Sequence, residues 1–432
     1  MSKTVAFHTL GCKVNYFESE GVWEKFSAAG YTRTNFTDFA DVYVINTCSV
    51  TNGGDKKSRQ FIRRAVRRNP NAVVCVMGCF SQIQPDAAAR IEGVDIVIGT
   101  SGRDQLVELV ERFLKSRQPI NIVGDIAKES EFESLIVTKF ENRKRGILKI
   151  QDGCNNFCTF CIIPWARGRV RSEKPEAVIA QARELVANGH VEIVLTGIHT
   201  GAYGEDLADY TFADLLAELV KIDGLMRLRI SSIEATELTD DVLAVLASSD
   251  KVAKHLHIPI QSGSSTILKA MNRKYNLAEF EANIERIRIA LPDVSITTDI
   301  IVGFPGETAE MFSESLETVK RIGFSEMHVF PYSIRNGTKA AAMPDQIPEM
   351  MKTMRVSKMI AVNEELGEKY ASYFNGEILE VIVEKVTDGY ATGHASNYLN
   401  IKFPVGEKFN QSIVKVKITK IGYPLCEGEI VQ

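Results

Sequence analysis

Hydrophobic and polar positions follow different rhythms in successive parts of this 432-residue chain. Over residues 1–115, short Val/Ile-rich runs alternate with amphipathic ones. VAFHTL precedes a helical run from Tyr16 to Ala28, and DVYVINT precedes another from Lys56 to Arg68. AVVCVMG precedes IQPDAAARIEG, and VDIVIG precedes RDQLVELVERFLKS. Strand-length apolar runs between amphipathic helices predict a parallel α/β sheet. The rhythm lapses over residues 116–145, where Gly124, scattered acids and the cluster Arg143-Lys144-Arg145 predict a linker with a weak hairpin. Residues 146–369 carry six strand-like runs: GILKIQD, EIVLTG, RLRISSI, HLHIPI, SITTDIIVG and EMHVFPY. Helical runs such as PEAVIAQARELVANG and LAEFEANIERIRIAL separate them, which predicts a partial (βα)6 barrel with its active site at the C-terminal strand ends. Over residues 371–432, EILEVIVEKV, YLNIKFPV and SIVKVKITKIG alternate apolar and polar residues between glycines. That pattern predicts a small antiparallel β-barrel of OB-like type.

Composition adds exclusions. Apolar residues make up 45% and charged residues 25%, ordinary for a soluble protein. No run of 18 or more apolar residues predicts a membrane span. The start, MSKTVAFHTLGCKVN, lacks the apolar core of a signal peptide, so a cytoplasmic location is expected. The net charge of −4 means that a nucleic-acid partner would have to be held by local basic patches. Eight cysteines in such a chain do not read as a disulfide framework. They read as buried thiols, metal ligands or redox groups, and their placement decides among these.

Cys154, Cys158 and Cys161 lie in GCNNFCTFC, just after the first barrel strand. A structural zinc site needs four ligands, commonly two cysteine pairs, and no second pair follows. A ferredoxin run needs a fourth nearby cysteine at a different spacing. Three thiolates on a cubane cluster leave one iron open to a substrate. Cys12, Cys48 and Cys79 are far apart in sequence, but each sits just past the carboxyl end of a predicted strand. In an open parallel sheet those ends share one edge, so the three thiols can converge there; three independent buried cysteines are the other reading. Cys75 lies inside VVCVM, and it and Cys426 read as core thiols.

The Cys-x-x-x-Cys-x-x-Cys triplet after the first strand of a βα barrel resembles the signature of the radical S-adenosylmethionine (SAM) superfamily. The resemblance implies a 4Fe-4S cluster whose open iron chelates SAM and cleaves it to a 5′-deoxyadenosyl radical. TLGCKVNYFESE, NTCSVT, MGCFSQ, QDGCNNFCTFCIIPWARGRVRS, HLHIPIQSGS and TDIIVGFPGET resemble, in order and spacing, the methylthiotransferases. For that family the resemblance implies a second 4Fe-4S cluster on Cys12, Cys48 and Cys79, a radical SAM core and a C-terminal RNA-binding TRAM domain. Within the family the chain most resembles the MtaB group, through SVT after Cys48, KSRQFIRRAVRRNP, VLTGIHTGAYG, SSIE and HVFPYS. Phe80-Ser81 and Trp165 are conservative departures. The implied reaction adds a methylthio group at C2 of N6-threonylcarbamoyladenosine at position 37, in the tRNA anticodon stem-loop, with two SAM and an external one-electron reductant. The alternatives are a methylthiotransferase for isopentenyladenosine tRNA or a ribosomal protein, and, in another class, a non-catalytic Fe-S electron carrier or a zinc RNA-binding protein.

Other candidates follow from position. Gly197, Ser232, Gln261, Gly303 and Phe304 stand at barrel-strand ends, where small or amide residues suit contacts to SAM. Arg273 suits the SAM carboxylate, RNA phosphate or, with Arg335, the carboxylate of the threonylcarbamoyl arm. Lys56, Lys57, Arg59, Arg63, Arg64, Arg67 and Arg68 crowd one helix. At about 100° per residue they cover roughly half its circumference, opposite Phe61, Ile62, Ala65 and Val66, and form a phosphate-binding face. Arg167, Arg169 and Arg171 form a second basic set placed to guide an anticodon loop. In the β module, acids slightly outnumber lysines and no arginine occurs, but Lys415 and Lys417 share one strand face.

Overall fold

In the computed structural model, which describes residues 3–141, 143–406 and 408–431, the first alternating region forms a doubly wound sheet. Its parallel strands are β1 (Thr4–Thr9), β2 (Thr32–Thr34), β3 (Val42–Thr47), β4 (Val73–Gly78), β5 (Ile96–Val97) and β6 (Ile120–Asn121). They lie in the order β2-β1-β3-β4-β5-β6. The sequence pattern misses β2 and β6 because strands of three and two residues carry no period. Helices α1 (Lys13–Ala28), α2 (Asn52–Arg68), α3 (Cys79–Ile83), α4 (Pro85–Ala89) and α5 (Leu106–Ser116) cover both faces. Val22, Phe26, Leu109 and Phe113 of α1 and α5 pack on one face. Ile62, Ala65, Phe80 and Ala88 of α2, α3 and α4 pack on the other. The strand order reverses between β1 and β3, and at such a switch point the loops diverge and leave a crevice at the carboxyl ends.

The segment predicted as a linker is instead a strap on the barrel. Its Leu135, Val137 and Phe140 are buried in the barrel core, and the expected hairpin is not present among the described residues. Single apolar residues spaced through a polar stretch give no period, so the sequence hides this packing.

The central region contains β7 (Arg145–Lys149), a two-residue ribbon of β8 (Gln151–Asp152) and β9 (Arg171–Ser172), then β10 (Glu192–Thr196), β11 (Arg227–Ile230), β12 (His255–His257), β13 (Ser295–Val302) and β14 (Glu326–Pro331). Helices α6 (Ile163–Arg167), α7 (Pro175–Ala187), α8 (Phe212–Leu219), α9 (Asp240–Ser248), α10 (Ser265–Ala270), α11 (Leu277–Ala290), α12 (Ala309–Ile322) and α13 (Glu349–Ser372) surround them. β7, β10 and β11 pair in parallel, as do β12, β13 and β14. Parallel bridges Leu228–Val252 and Ser232–His257 join the two sets into one six-stranded open arc. Successive side chains of a strand point to opposite faces. Leu228, Ile230, Leu256, Ile296, Ile300 and Met327 therefore pack outward under the helices. Arg227, Arg229, His255, His257, Thr297, Asp299 and His328 point inward, so the lumen is polar.

The third region is a closed five-stranded barrel of β15 (Ile378–Thr387), β16 (Tyr390–Ala395), β17 (Asn400–Pro404), β18 (Ile413–Lys420) and β19 (Cys426–Ile430), in the order β15-β16-β17-β19-β18. Closure removes the exposed sheet edges. YATGHA and CEGEI, which form β16 and β19, each carry a glycine and few β-branched residues, which hid them from the sequence pattern. This module docks on the lumen arginines. Arg145 pairs with Glu384 at 2.7 Å, and Arg227 pairs with Glu380 at 3.0 Å. Among the described residues, no helix is long and apolar enough to cross a membrane.

Candidate active site at the facing strand ends

Cys12 is the N-cap of α1 just beyond β1, Cys48 follows β3, and Cys79 opens α3 after β4. β1, β3 and β4 are adjacent in the sheet, so the three thiols share one edge at the switch point. Each lies close enough to the others for their charges to interact. None of them is in a disulfide. Gly11 makes the approach possible: its φ is +103°, and a Cβ there would stand 3.3 Å from Cys48 Sγ. Burial pushes the Cys79 thiol up to about 12, while the Arg167 guanidinium beside it pulls in the other direction. Convergent unpaired thiols facing a buried cation fit an anionic thiolate-bound cluster.

Cys75, by contrast, is fully buried within β4 among Val42, Val44 and Met77. Cys75→Ala should keep the full iron content of the reconstituted protein, and Cys79→Ala should lose up to one cluster's worth. Iron and sulfide assays on the two variants check this; the reverse pattern would mean that the wrong thiol has been assigned.

Arg167 does not guide RNA. It is fully buried and donates to Asn15 Oδ1 at 2.5 Å, Glu18 Oε2 at 3.1 Å and Asp152 Oδ2 at 3.3 Å. Lys149 joins the same lattice through Glu18 at 3.0 Å and Asp152 at 2.6 Å. Arg103 joins through Glu18 at 2.5 Å and also pairs with Glu133. Arg171 is buried near Asp152 as well, and of the predicted set only Arg169 is exposed. Burial alone would raise the Glu18 carboxyl, but Arg103, Arg167 and Lys149 outweigh it and hold it at about 2. The lattice ties α1, which carries Cys12 at its start, to the barrel segment that follows Cys161.

The barrel triplet lies beyond β8. Cys154 N–H donates to Gly168 O, and Cys161 N–H donates to Cys158 O, both at 3.0 Å. Burial pushes the Cys158 thiol up and the Cys161 thiol up to about 12. Arg273 Nη1 donates to Cys158 Sγ at 3.5 Å, and its other nitrogens bind Glu234 and the Tyr275 hydroxyl. Burial would lower the His199 imidazole, but hydrogen bonds to Cys154 and Glu237 raise it to about 11. Beside Cys158 a cavity of about 170 Å³ is lined by Asn156, His199, Glu234, Glu237, Arg273 and Tyr275. Sequence reasoning singled out only Arg273 of these six. His199 and Glu234 follow β10 and β11 within a few residues, which was the available signal.

Gly197, Ser232, Gln261 and Gly303 do stand beyond the ends of β10, β11, β12 and β13. Gly303 has φ +74°, and its N–H donates to Glu307 Oε2 at 2.7 Å. The Phe304 ring is not offered to a ligand. It is fully buried against Ile267, Met271, Tyr332 and Ala340, because its apolar surface finds a complete packing partner beneath the loop. Arg335 is also committed elsewhere. Buried at 4% exposure, it donates to Asn52 at 2.8 Å, Ser49 at 2.7 Å and Asp55 at 2.9 Å, and so pins the Cys48 loop to the barrel. Arg273 pairs with Glu234, its side chain 5% exposed, in the wall of the cavity beside Cys158.

On α2, Lys56, Lys57, Arg63, Arg64, Arg67 and Arg68 are exposed while Ile62 and Ala65 are buried. Arg59 is half-buried over the Phe80 ring. Lys415 and Lys417 are exposed on β18.

Residues 148–319 match the Radical SAM superfamily, and residues 4–99 match a family described as "Uncharacterized protein family UPF0004". The chain is 53% identical over 99% of its length to the threonylcarbamoyladenosine tRNA methylthiotransferase MtaB of Bacillus subtilis, covering 96% of that protein. It is 37% identical over 98% of its length to the tRNA-2-methylthio-N(6)-dimethylallyladenosine synthase of Carboxydothermus hydrogenoformans, covering 98% of that protein. The radical SAM methyltransferase TsrM of Kitasatospora setae, solved with cobalamin and a 4Fe-4S cluster, shares the fold with a TM-score of 0.58 at 14% identity, over 92% of this chain and 82% of that one. Identity of that extent over the whole length joins the two cysteine-bearing domains to one lineage, and the chain belongs to the radical SAM methylthiotransferase family.

Proposed function

We propose that the chain adds a methylthio group to C2 of N6-threonylcarbamoyladenosine at position 37 of tRNA, using two SAM and two 4Fe-4S clusters. The observation that carries this reading is the pair of three-cysteine sets at the strand ends of two domains that Arg167 and Arg335 bring together. The 53% identical relative that bears the name of this reaction supports the choice of base. Bound clusters and SAM supply the radical and sulfur chemistry that side-chain acids and bases cannot perform on an aromatic C–H.

The remaining work falls to the chain's own residues. Cys154, Cys158 and Cys161 would hold one cluster, and Cys12, Cys48 and Cys79 would hold the other. Arg167 offsets the charge of the second set from a buried position. Glu234 and Glu237, facing the cavity beside Cys158, can accept hydrogen bonds from the ammonium or hydroxyl groups of SAM. An unpaired anticodon-loop base reaches such a site without duplex opening.

The exposed face of α2 serves the tRNA backbone. Changing Arg63, Arg64, Arg67 and Arg68 to Ala should weaken tRNA binding and flatten its log–log salt dependence by up to about 3 in slope. Titrations at several salt concentrations check this; wild-type affinity with an unchanged slope would refute it.

The substrate is tested by incubating reduced enzyme, SAM and a sulfide source with two tRNAs. One carries the threonylcarbamoyl modification and the other isopentenyladenosine at the same position. Only the first gains a methylthio group. Turnover of the second with none of the first would overturn the assignment of the base and leave the reaction class intact.

A further inference from the structure

With Arg273 and Arg335 committed to Glu234 and Asp55, the carboxylate of a threonylcarbamoyl arm needs another partner. Most arginines of the interior are committed too. Arg145, Arg227 and Arg229 converge on Glu192, and Arg103 and Arg167 on Glu18. The open edge of the arc differs. Among the described residues β14 pairs with β13 alone, and its inner face presents His328 and Phe330, two residues apart and each about half exposed. Their outward neighbours Met327 and Val329 pack in the barrel core, so the two exposed rings face the lumen together.

His328 is held in place. Its Nδ1 lies 3.1 Å from Asp299 Oδ1, and the same oxygen lies 3.2 Å from His257 Nε2. His257 Nδ1 is in turn 2.8 Å from Thr297 Oγ1, and the His257 and His328 rings stack at 5.3 Å. Among the described residues His328 Nε2 has no hydrogen-bond partner. The nearest carboxylate to it, Glu326, is 3.8 Å away, beyond hydrogen-bonding distance.

The loop that follows this face reaches the Cys12/Cys48/Cys79 set. Immediately after β14, Ser333 Oγ accepts from Asn52 N–H at 3.2 Å, and Arg335 grips Ser49 next to Cys48. From the other side Lys13, the residue after Cys12, is near enough for its charge to act on Asp299 and His328. With Asp299 and Glu326 ionised, protonated His328 and Lys13 balance them, so an anionic arm would be selected here by the His328 N–H donor rather than by an excess of positive charge. A π-face beside a cationic donor is the pairing that a purine with an anionic arm requires.

We propose that the inner face of β14 seats the modified base, with Phe330 stacking on the purine and His328 Nε2–H donating to the carboxylate of its N6 arm. This inference rests on the threonylcarbamoyladenosine reading.

The test uses reconstituted holoenzyme and two tRNAs, one with the natural carboxylate arm and one with a carboxamide in its place. Wild type should favour the acid arm by about tenfold or more in kcat/KM. His328→Gln keeps an N–H for Asp299 but loses the charge, and His328→Ala loses both. Each should lose about ten- to a hundredfold on the acid arm, mostly through KM, and about threefold or less on the amide. The groups facing His328 are Asp299, His257, Glu326 and Lys13, and Asp299 raises its imidazole. The acid preference of wild type should therefore fade as pH rises through that raised value and stay flat in both variants. Iron content equal to wild type establishes that the variants are folded. A wild-type acid preference surviving in His328→Gln, or equal losses on both arms, would overturn the proposal. Wild type that modifies neither arm but does modify isopentenyladenosine tRNA would instead overturn the substrate reading on which it rests.

Discussion

Holoenzyme with Cys154, Cys158 and Cys161 all changed to Ala should keep about half of its iron and form no 5′-deoxyadenosine. Two cysteine sets on separate domains make the two proposed clusters separable: removing the barrel cysteines leaves Cys12, Cys48 and Cys79 on their own sheet. On the proposed reading this triplet would hold the cluster that cleaves SAM, so the loss of cleavage should be complete rather than partial. The measurement is anaerobic reconstitution, iron counting and chromatography of the nucleoside product under a strong reductant. Continued formation of 5′-deoxyadenosine would contradict the assignment of the triplet.

A second large effect is expected at Glu18. Arg103, Arg167 and Lys149 meet on this one fully buried carboxylate. A buried ion lattice adds little over an apolar core of the same volume, but deleting one partner strands the opposite charges. Glu18→Gln should cost about 3–5 kcal/mol and loosen the joint between α1 and the barrel. The sign with pH follows from the lowered carboxyl. Glu18 titrates normally near 4.5 when unfolded and is held at about 2 in the fold. Its contribution is therefore full above the normal value and disappears as pH falls from there toward about 2. Denaturant titrations of wild type and Glu18→Gln at neutral and acid pH should show a gap that narrows at low pH. A constant gap, or none at neutral pH, would refute the role given to the lattice.

The barrel triplet, the strand-end placement of Cys12, Cys48 and Cys79 and the six barrel strands were legible because each rests on a local signal: a cysteine spacing, the close of an apolar run, or a run of strand length. The fates of the arginines were not. Arg167 and its partner Glu18 are 149 residues apart, and Arg335 and Asp55 are 280 apart. No window of sequence reveals that a basic residue will meet a buried acid from another domain, so Arg167 read as a guide for the anticodon loop and Arg335 as a partner for the threonylcarbamoyl carboxylate. Phe304 failed for a related reason, since a strand-end position does not say which way a ring packs. The strap through Leu135, Val137 and Phe140 was invisible because extended chain on a barrel surface has no periodicity of its own.

The central claim is tested most directly by mass analysis of tRNA nucleosides from cells that lack this protein. The account predicts that the methylthio derivative of N6-threonylcarbamoyladenosine disappears, that the unmodified parent accumulates, and that methylthio-isopentenyladenosine is unchanged. An unaltered methylthio-threonylcarbamoyladenosine peak, or loss of the isopentenyl derivative in its place, would contradict it.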